Sequence, residues 1–184
     1  MGLFDLEKHY AFYGAYHANP VNILIHMVFV WPILFTALMP WHFVDLPLFS
    51  NRFGLAVAVF YGLFYVNLDK KAGTLAAVMC LLCWVGASWV SGLLGPSLAW
   101  KVALASQVLC WTGQFIGHGV FEKRAPALLD NLSQAFLMAP FFVLLEALEK
   151  FLEYEPYPGF RAKVRTNVAA EIKAWKEKKP KKIS

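Results

Sequence analysis

Residues 99–122 of this 184-residue chain read AWKVALASQVLCWTGQFIGHGVFE. The apolar part of this stretch has the roughly 20 residues that an α-helix needs to cross a bilayer. Its end carries Gln114, His118 and Glu122, and the i, i+4 spacing of the last two predicts that they lie on one face of a helix. Ionisable groups at membrane depth are costly and usually face a partner or a polar cavity. The stretch therefore predicts a membrane-spanning helix that ends at a polar site.

The composition of the whole chain agrees with a membrane protein. Hydrophobic residues make up 59% of the sequence and charged residues only 16%, whereas globular domains carry about a quarter charged residues. The charges are concentrated near the N-terminus, around 69–71 and 122–124, and after residue 149. We therefore expect an all-α, polytopic membrane helix bundle. Its apolar runs cover 22–39, 53–68, 74–95, 99–121 and 132–148.

The distribution of lysine and arginine predicts the orientation of the bundle, because cytosolic loops carry the excess of these residues. The first four apolar runs, taken as four spans with both termini cytosolic, leave only Arg52 in the opposite loops, with Lys101 just inside a span. The residues placed in the cytosol are Lys8, Lys70, Lys71, Lys123, Arg124 and the basic tail. A fifth span would move that tail to the wrong side. We therefore interpret 132–148 as an interfacial or re-entrant helix.

The chain is expected to divide into a membrane-embedded domain, residues 1–150, and a basic amphipathic cytosolic tail, residues 151–184. Two roles for the predicted tail helix stay open: it could lie on an anionic membrane surface or cap the bundle. The C-terminal Lys181-Lys182-Ile183-Ser184 resembles a dilysine retrieval signal of endoplasmic-reticulum membrane proteins. The basic charge comes without a nucleic-acid-binding module, so no nucleic-acid partner is expected. The apolar face of the helix is formed by Phe160, Val164, Val168, Ile172 and Trp175.

Two further histidines precede and enter the first span. Asn19 is a good helix N-cap and Pro20 suits the first helical position, so the first span should begin near residue 20. His17 lies just outside that start and His26 about two turns inside it. In the four-span topology both lie in the same leaflet as His118 and Glu122. Convergence of these groups favours a metal site.

The chemistry of the site leaves several metals open. Imidazole and carboxylate ligands with free coordination positions suit non-haem Fe(II), Zn or Mn. Five histidines are too few for the ligand set of a membrane di-iron hydroxylase, so one metal is the limit. His9 and His42 are expected to be ordinary hydrogen-bonding residues near helix ends.

Two segments resemble the fungal 2-hydroxy fatty acid dioxygenase family. They are FYGAYHANPVNILIH at 12–26 and QFIGHGVFEKRAPALLDN at 114–131, and the resemblance extends over roughly residues 3–150. It implies a multi-span protein of the endoplasmic reticulum that uses Fe(II) and O₂. The implied reaction converts a 2-hydroxy fatty acid to the acid one carbon shorter plus CO₂, in fatty acid α-oxidation during phytosphingosine (sphingolipid) degradation.

The resemblance also assigns residues. It implies that His17, His26 and His118 are metal ligands and that Glu122 is either a fourth ligand or a residue that orients one. Gln114 and Glu146 are candidates to support the ligands or the reaction. The implied partners are the 2-hydroxy fatty acid, O₂ and membrane lipid, and the sequence leaves the oligomeric state open.

Two other functional classes remain possible from the residues. One is a different metal-dependent membrane lipid enzyme, such as a zinc hydrolase. The other is a non-catalytic membrane scaffold or lipid carrier with a histidine-rich mouth.

Overall fold

The computed structural model describes residues 2–44, 53–126, 132 and 134–178, and within these ranges it contains helices and no strand. The predicted all-α class is therefore confirmed. Short 3₁₀ and π-helical turns occupy Pro40–His42, Gly117–Glu122 and Gln134–Met138. The α-helices are α1 (Leu6–Tyr16), α2 (Pro20–Leu38), α3 (Phe53–Leu68), α4 (Lys70–Ile116), α5 (Ala139–Leu152) and α6 (Phe160–Lys178).

The start of α2 follows the capping rules that predicted it. The side chain of Asn19 accepts a hydrogen bond from the backbone N–H of Val21 at 2.9 Å, and Pro20 occupies the first helical position. This cap satisfies one of the backbone N–H groups that the first turn of a helix leaves unpaired. The predicted start of a helix near residue 20 is confirmed.

Helix α4 is broken into two antiparallel arms at Gly95, which has φ 71° and ψ 166° and is followed by Pro96. Glycine suits this backbone because residues with a β-carbon rarely adopt positive φ. The first arm (70–94) follows α2 toward its C-terminus, where the Ser91 hydroxyl donates to the carbonyl of Met39. The second arm (96–116) returns, and its extension places Gly117 beside Asn22 near the start of α2. The two arms thus form a helical hairpin.

Helix α3 packs antiparallel to the first arm over its whole length. Near one end Gly54 contacts Trp84, and near the other Gly73 packs directly on the backbone of Tyr65. A β-carbon at Gly73 would lie 2.1 Å from the Tyr65 carbonyl oxygen, so the close approach requires glycine. The start of α2, the end of α3 and the outer ends of both arms consequently lie at one end of the bundle.

Two helical stretches, Pro20–His42 and Lys70–Glu122, are long and apolar enough to cross a membrane, and Phe53–Leu68 is a shorter apolar helix. Only 17% of the apolar window in Lys70–Glu122 is buried inside the protein. An exposed apolar surface of this extent marks a contact with lipid or with another protein. Exposed side chains of this surface include Leu82, Trp89, Leu93, Leu104 and Leu109.

The apolar run at 132–148 contributes a helix with a buried first half, in which Pro140–Leu145 are all buried. In α5 the side chains of Phe141 and Phe142 are completely inaccessible, and the helix packs against α2 and α4. The expected helix is present beside α2 and α4, and it supplies core side chains of the bundle.

Helix α6 confirms the predicted amphipathic helix and covers α1. Val164 and Phe160 are buried, and Val168 packs against Gly14 of α1. Of the two roles left open by the sequence, the contacts correspond to a helix that caps the bundle. The dilysine motif lies outside the described residues.

Candidate metal centre

Three imidazole rings from separate parts of the chain meet at the end of the bundle. His17 follows α1, His26 lies in α2, and His118 lies in the π-helical turn that extends α4. Their ring centroids are 4.3, 4.8 and 4.9 Å apart, and one nitrogen atom from each lies within 4.8 Å of the others. All three side chains are buried.

Backbone carbonyls orient two of these rings. Nδ1–H of His17 donates to the carbonyl of Tyr13 at 2.8 Å, and Nδ1–H of His26 donates to the carbonyl of Asn22 at 2.9 Å. Each bond uses the carbonyl four residues earlier and selects the tautomer in which Nε2 carries a free lone pair. Metal-binding histidines commonly show this arrangement, in which the second ring nitrogen is fixed by a hydrogen bond.

The remaining nitrogens fit a metal ion. Nε2 of His17 and Nδ1 of His118 are buried and have no hydrogen-bond partner among the residues that the structure describes. Buried polar atoms are usually paired, and imidazole nitrogen is a ligand for Fe, Zn and other transition metals. The three histidines therefore have the geometry and the free lone pairs to hold one divalent metal.

Electrostatics keep His17 in the form that a metal requires. Its burial, followed by the proximity of His26 and His118, holds the pKa of the His17 imidazole well below its usual value of 6.5. Both causes disfavour the imidazolium form. His17 is therefore neutral at physiological pH and offers a lone pair.

Glu122 lies apart from the three-histidine group and contacts the loop between α1 and α2. Its carboxylate accepts hydrogen bonds from the backbone N–H of Asn19 at 2.9 Å, the N–H of Ala18 at 3.1 Å and the side-chain amide of Asn22 at 3.1 Å. His118 belongs to the group of three histidines whose nitrogen atoms lie within 4.8 Å of one another, and Glu122 does not. Gly117–Glu122 is a π-helical turn, whereas the i, i+4 rule assumed an α-helix at this position. These contacts agree with the orienting role, and coordination of a metal by Glu122 stays a prediction.

Gln114 lies one turn before His118 on the second arm. Its side chain is only 6% exposed, and its amide nitrogen Nε2 has no partner in the described part of the chain. The residue lines the same cavity as the three histidines.

Glu146 reaches the site through Tyr13, a residue that sequence reasoning missed. The hydroxyl of Tyr13 donates to Oε2 of Glu146 at 2.8 Å, and the tyrosine ring stacks on His17 with centroids 4.0 Å apart. Burial raises the pKa of the Glu146 carboxyl to about 7. The spacing of four residues between Tyr13 and His17, at the end of a helix, was the signal that could have identified Tyr13.

An apolar groove of about 190 Å³ leads away from the histidines along α2. It follows α2 from His26 to Ala37, a distance of about 16 Å at the rise of an α-helix, which is about half the thickness of a bilayer's hydrocarbon core. The exposed rings of Phe115 and Phe136 flank it. Further lining side chains come from α2, the second arm and α5, and include Val30, Ile33, Leu34, Trp111 and Phe142.

A second, polar crevice approaches His17 from the other side. It has a volume of about 550 Å³ and lies between α1, α5 and α6. Glu146, Glu149 and Arg161 line it, and it shares His17 and Tyr13 with the apolar groove. The candidate site is therefore reached from an apolar side and from a polar side.

Arg124 connects the end of the second arm to two other helices. Its Nη1 donates to the carbonyl of Ala15 at 2.7 Å, and its guanidinium lies 3.4 Å from the ring centre of Tyr16 and 4.8 Å from that of Trp175 in α6. A guanidinium above aromatic rings is a stabilising cation–π contact. These contacts hold the segment after His118 against the segment that carries His17.

Residues 3–151 match the sequence profile of the family described as 2-hydroxy-palmitic acid dioxygenase Mpo1-like. The chain belongs to this family. The 2-hydroxy-palmitic acid dioxygenase MPO1 of Saccharomyces cerevisiae is 40% identical over 149 residues, which cover 81% of this chain and 83% of the yeast protein. No solved structure matches the chain. The family expected from the sequence motifs is confirmed, and with it the expectation of an enzyme of the dioxygenase class.

Proposed function

We propose that the protein is an Fe(II)-dependent dioxygenase that shortens 2-hydroxy fatty acids by one carbon and releases CO₂. The observation that supports this most directly is the position of three buried imidazoles at the end of an apolar groove. An amphiphile with a long acyl chain and a metal-binding head group suits such a site. Family membership favours the same reaction, because the similar yeast protein is named for 2-hydroxy-palmitic acid.

Separate groups of residues would bind the metal and the substrate. His17, His26 and His118 would hold the iron, which when bound supplies the redox chemistry for the reaction with O₂. Glu122 holds the loop that carries His17, and Tyr13 and Glu146 hold the ring of His17. The apolar groove binds the acyl chain and keeps it out of water.

The reaction needs no external reductant. A 2-hydroxy acid and O₂ yield the acid one carbon shorter, CO₂ and water, and the four electrons that reduce O₂ come from the two substrate carbons that are oxidised. An enzyme of this size therefore needs neither a reductase domain nor a second organic substrate.

The proposed setting is the endoplasmic-reticulum membrane. We propose that α2, α3 and the two arms of α4 make four crossings, because their alternating directions agree with the lysine and arginine distribution. Residues 1–150 form the membrane-embedded oxygenase domain, and 151–184 form the cytosolic tail. Both termini and the metal site then face the cytosolic side, and the groove runs into the cytosolic leaflet.

Anaerobic reconstitution tests the proposal. The purified protein is loaded with Fe(II) and then given 2-hydroxypalmitate and O₂, and oxygen uptake, CO₂ and pentadecanoate are measured. We expect all three in equal amounts and their loss in His118→Ala. A protein that binds no iron, or that leaves 2-hydroxypalmitate unchanged in air, would refute the dioxygenase function.

The same preparation distinguishes the proposed enzyme from a second candidate, which would use the same three histidines to bind a different metal. Three imidazoles also suit catalytic zinc, so a zinc hydrolase acting on membrane lipids is the second candidate. It would be active when loaded with Zn²⁺ under anaerobic conditions, whereas the proposed enzyme would be inactive in that state.

A further inference from the structure

Two glutamines of the second arm line the apolar groove, and their side-chain amides differ in the hydrogen bonds that they make. Gln107 is fully paired: its Nε2 donates to the carbonyl of Ile33 and to the hydroxyl of Thr36, both at 2.8 Å, and its Oε1 accepts from Nε1 of Trp111 at 3.0 Å. Gln114 is buried as deeply as a core residue, yet its Nε2 donates to no described residue. One amide holds helices together, and the other has a free donor.

The free donor lies at the polar end of the groove. Gln114 precedes His118 by one turn and shares the cavity wall with His17 and His26. A buried amide N–H without a partner is unfavourable, so its retention next to a candidate metal site indicates a bound acceptor. Asn22 Oδ1, another unpaired amide atom of the region, belongs to a residue outside the lining of the groove.

We propose that Gln114 binds the substrate's carboxylate and selects a free acid head group. This inference rests on the proposed function. A 2-hydroxy acid has three head-group oxygens, and the hydroxyl with one carboxylate oxygen suffices to chelate a metal. The second carboxylate oxygen is then the acceptor for Nε2 of Gln114. A hydrogen bond to an ionised acceptor is about twice as strong as a neutral one, so an uncharged ester of the same acid would gain much less from this residue.

The experiment compares Gln114→Met with Gln107→Met, two changes of the same kind in the same arm. Protein loaded with Zn²⁺ is used, because it binds ligand without turnover, and its dissociation constants for 2-hydroxypalmitate and for the methyl ester are measured by calorimetry. Affinity for Co²⁺ alone is measured by absorption. We expect Gln114→Met to weaken binding of the acid roughly 10- to 100-fold, the range for a hydrogen bond to a charged group, and binding of the ester only about 2- to 10-fold, the range for a neutral hydrogen bond. Affinity for Co²⁺ should stay unchanged.

The control variant should behave differently. Gln107→Met leaves the partners of a structural amide unpaired, so it should lower the melting temperature while keeping the ratio of acid to ester affinity. Gln114→Glu should weaken binding of 2-hydroxypalmitate more than Gln114→Met does, because the new carboxylate would face the carboxylate of the substrate.

Two results would overturn the inference. One is an unchanged acid-to-ester ratio in Gln114→Met. The other is a loss of Co²⁺ affinity in Gln114→Met as large as in His118→Ala, which would assign Gln114 to the metal instead. Failure of the proposed function is a separate result. In that case the Fe(II)-loaded protein takes up no oxygen, even though the Zn²⁺-loaded protein prefers the acid and this preference falls in Gln114→Met.

Discussion

Replacing Glu122 tests whether this carboxylate orients the metal-binding loop or binds the metal itself. In the structure its Oε2 accepts from Asn19, Asn22 and, at 3.2 Å, Ala18, while Oε1 accepts from Ala18 at 3.1 Å. In Glu122→Gln one oxygen can keep the Oε2 contacts, but the amide nitrogen then opposes the N–H of Ala18, and the negative charge is lost. The variant therefore keeps the shape of the residue and weakens its hold on the loop.

The magnitude follows from these contacts. A hydrogen bond to a charged group contributes about 1.5–3 kcal/mol, and Glu122→Gln loses about one such bond. Since His17 adjoins the held loop, metal affinity should fall roughly 10- to 100-fold, the usual effect of losing a residue that supports a ligand. Glu122→Ala removes every contact and should cost more than Glu122→Gln.

Titration of the metal-free protein with Co²⁺ measures both affinity and coordination. If Glu122 orients the loop, the absorption bands of bound Co²⁺ keep their positions and only the dissociation constant rises. Glu171→Gln, on the exposed surface of α6, removes the same charge and should leave the titration unchanged. Altered cobalt bands in Glu122→Gln would show that the carboxylate is a ligand, and an unchanged affinity would show that the loop does not depend on it.

Three further predictions address packing, the groove and pH. Gly73→Ala should lower the free energy of unfolding by about 2 kcal/mol or more, because its β-carbon would strike the backbone of Tyr65; Gly119→Ala, which meets open space, should cost much less in the same melting experiment. Ala37→Trp should fill the far end of the groove and lower turnover of 2-hydroxypalmitate relative to 2-hydroxylaurate, and an unchanged ratio would mean that the acyl chain lies elsewhere. The free energy of unfolding of Glu146→Gln should rise relative to that of the wild type as pH increases from 5 to 8, by at most about 3 kcal/mol. The folded-state pKa of Glu146 is about 7 against 4.5 for the free group, so the wild type must bury a charge as pH rises; parallel stability curves would contradict this.

The sequence predicted the parts of the site that follow from periodicity and charge. Asn19 and Pro20 set the start of α2, and the lysine and arginine distribution placed His17, His26 and His118 at the same depth. The structure brings those three rings together. The first prediction depends on local capping rules. The second depends on the restriction that a membrane places on the arrangement of apolar helices.

The remaining features depend on geometry that a linear pattern does not contain. The segment at 117–122 is a π-helical turn, from which Glu122 contacts the α1–α2 loop, and the i, i+4 rule assumed an α-helix there. The spacing of Tyr13 and His17 does not show the partner of the tyrosine hydroxyl, because Glu146 comes within hydrogen-bond distance only through the packing of α5. The free amide of Gln114 is visible only after the partners of every neighbouring group are known.

Under the proposed four-span topology, the single-residue break at Gly95 has a consequence for how the chain is inserted during synthesis. Because the two arms of α4 are separated by a turn and not by a polar loop, hardly any hydrophilic backbone has to be carried across the hydrocarbon. The arms can enter the bilayer together as one folded hairpin. The second arm would then bring His118 back to the side on which His17 and His26 are already in place, so that assembly of the site is the last event of insertion.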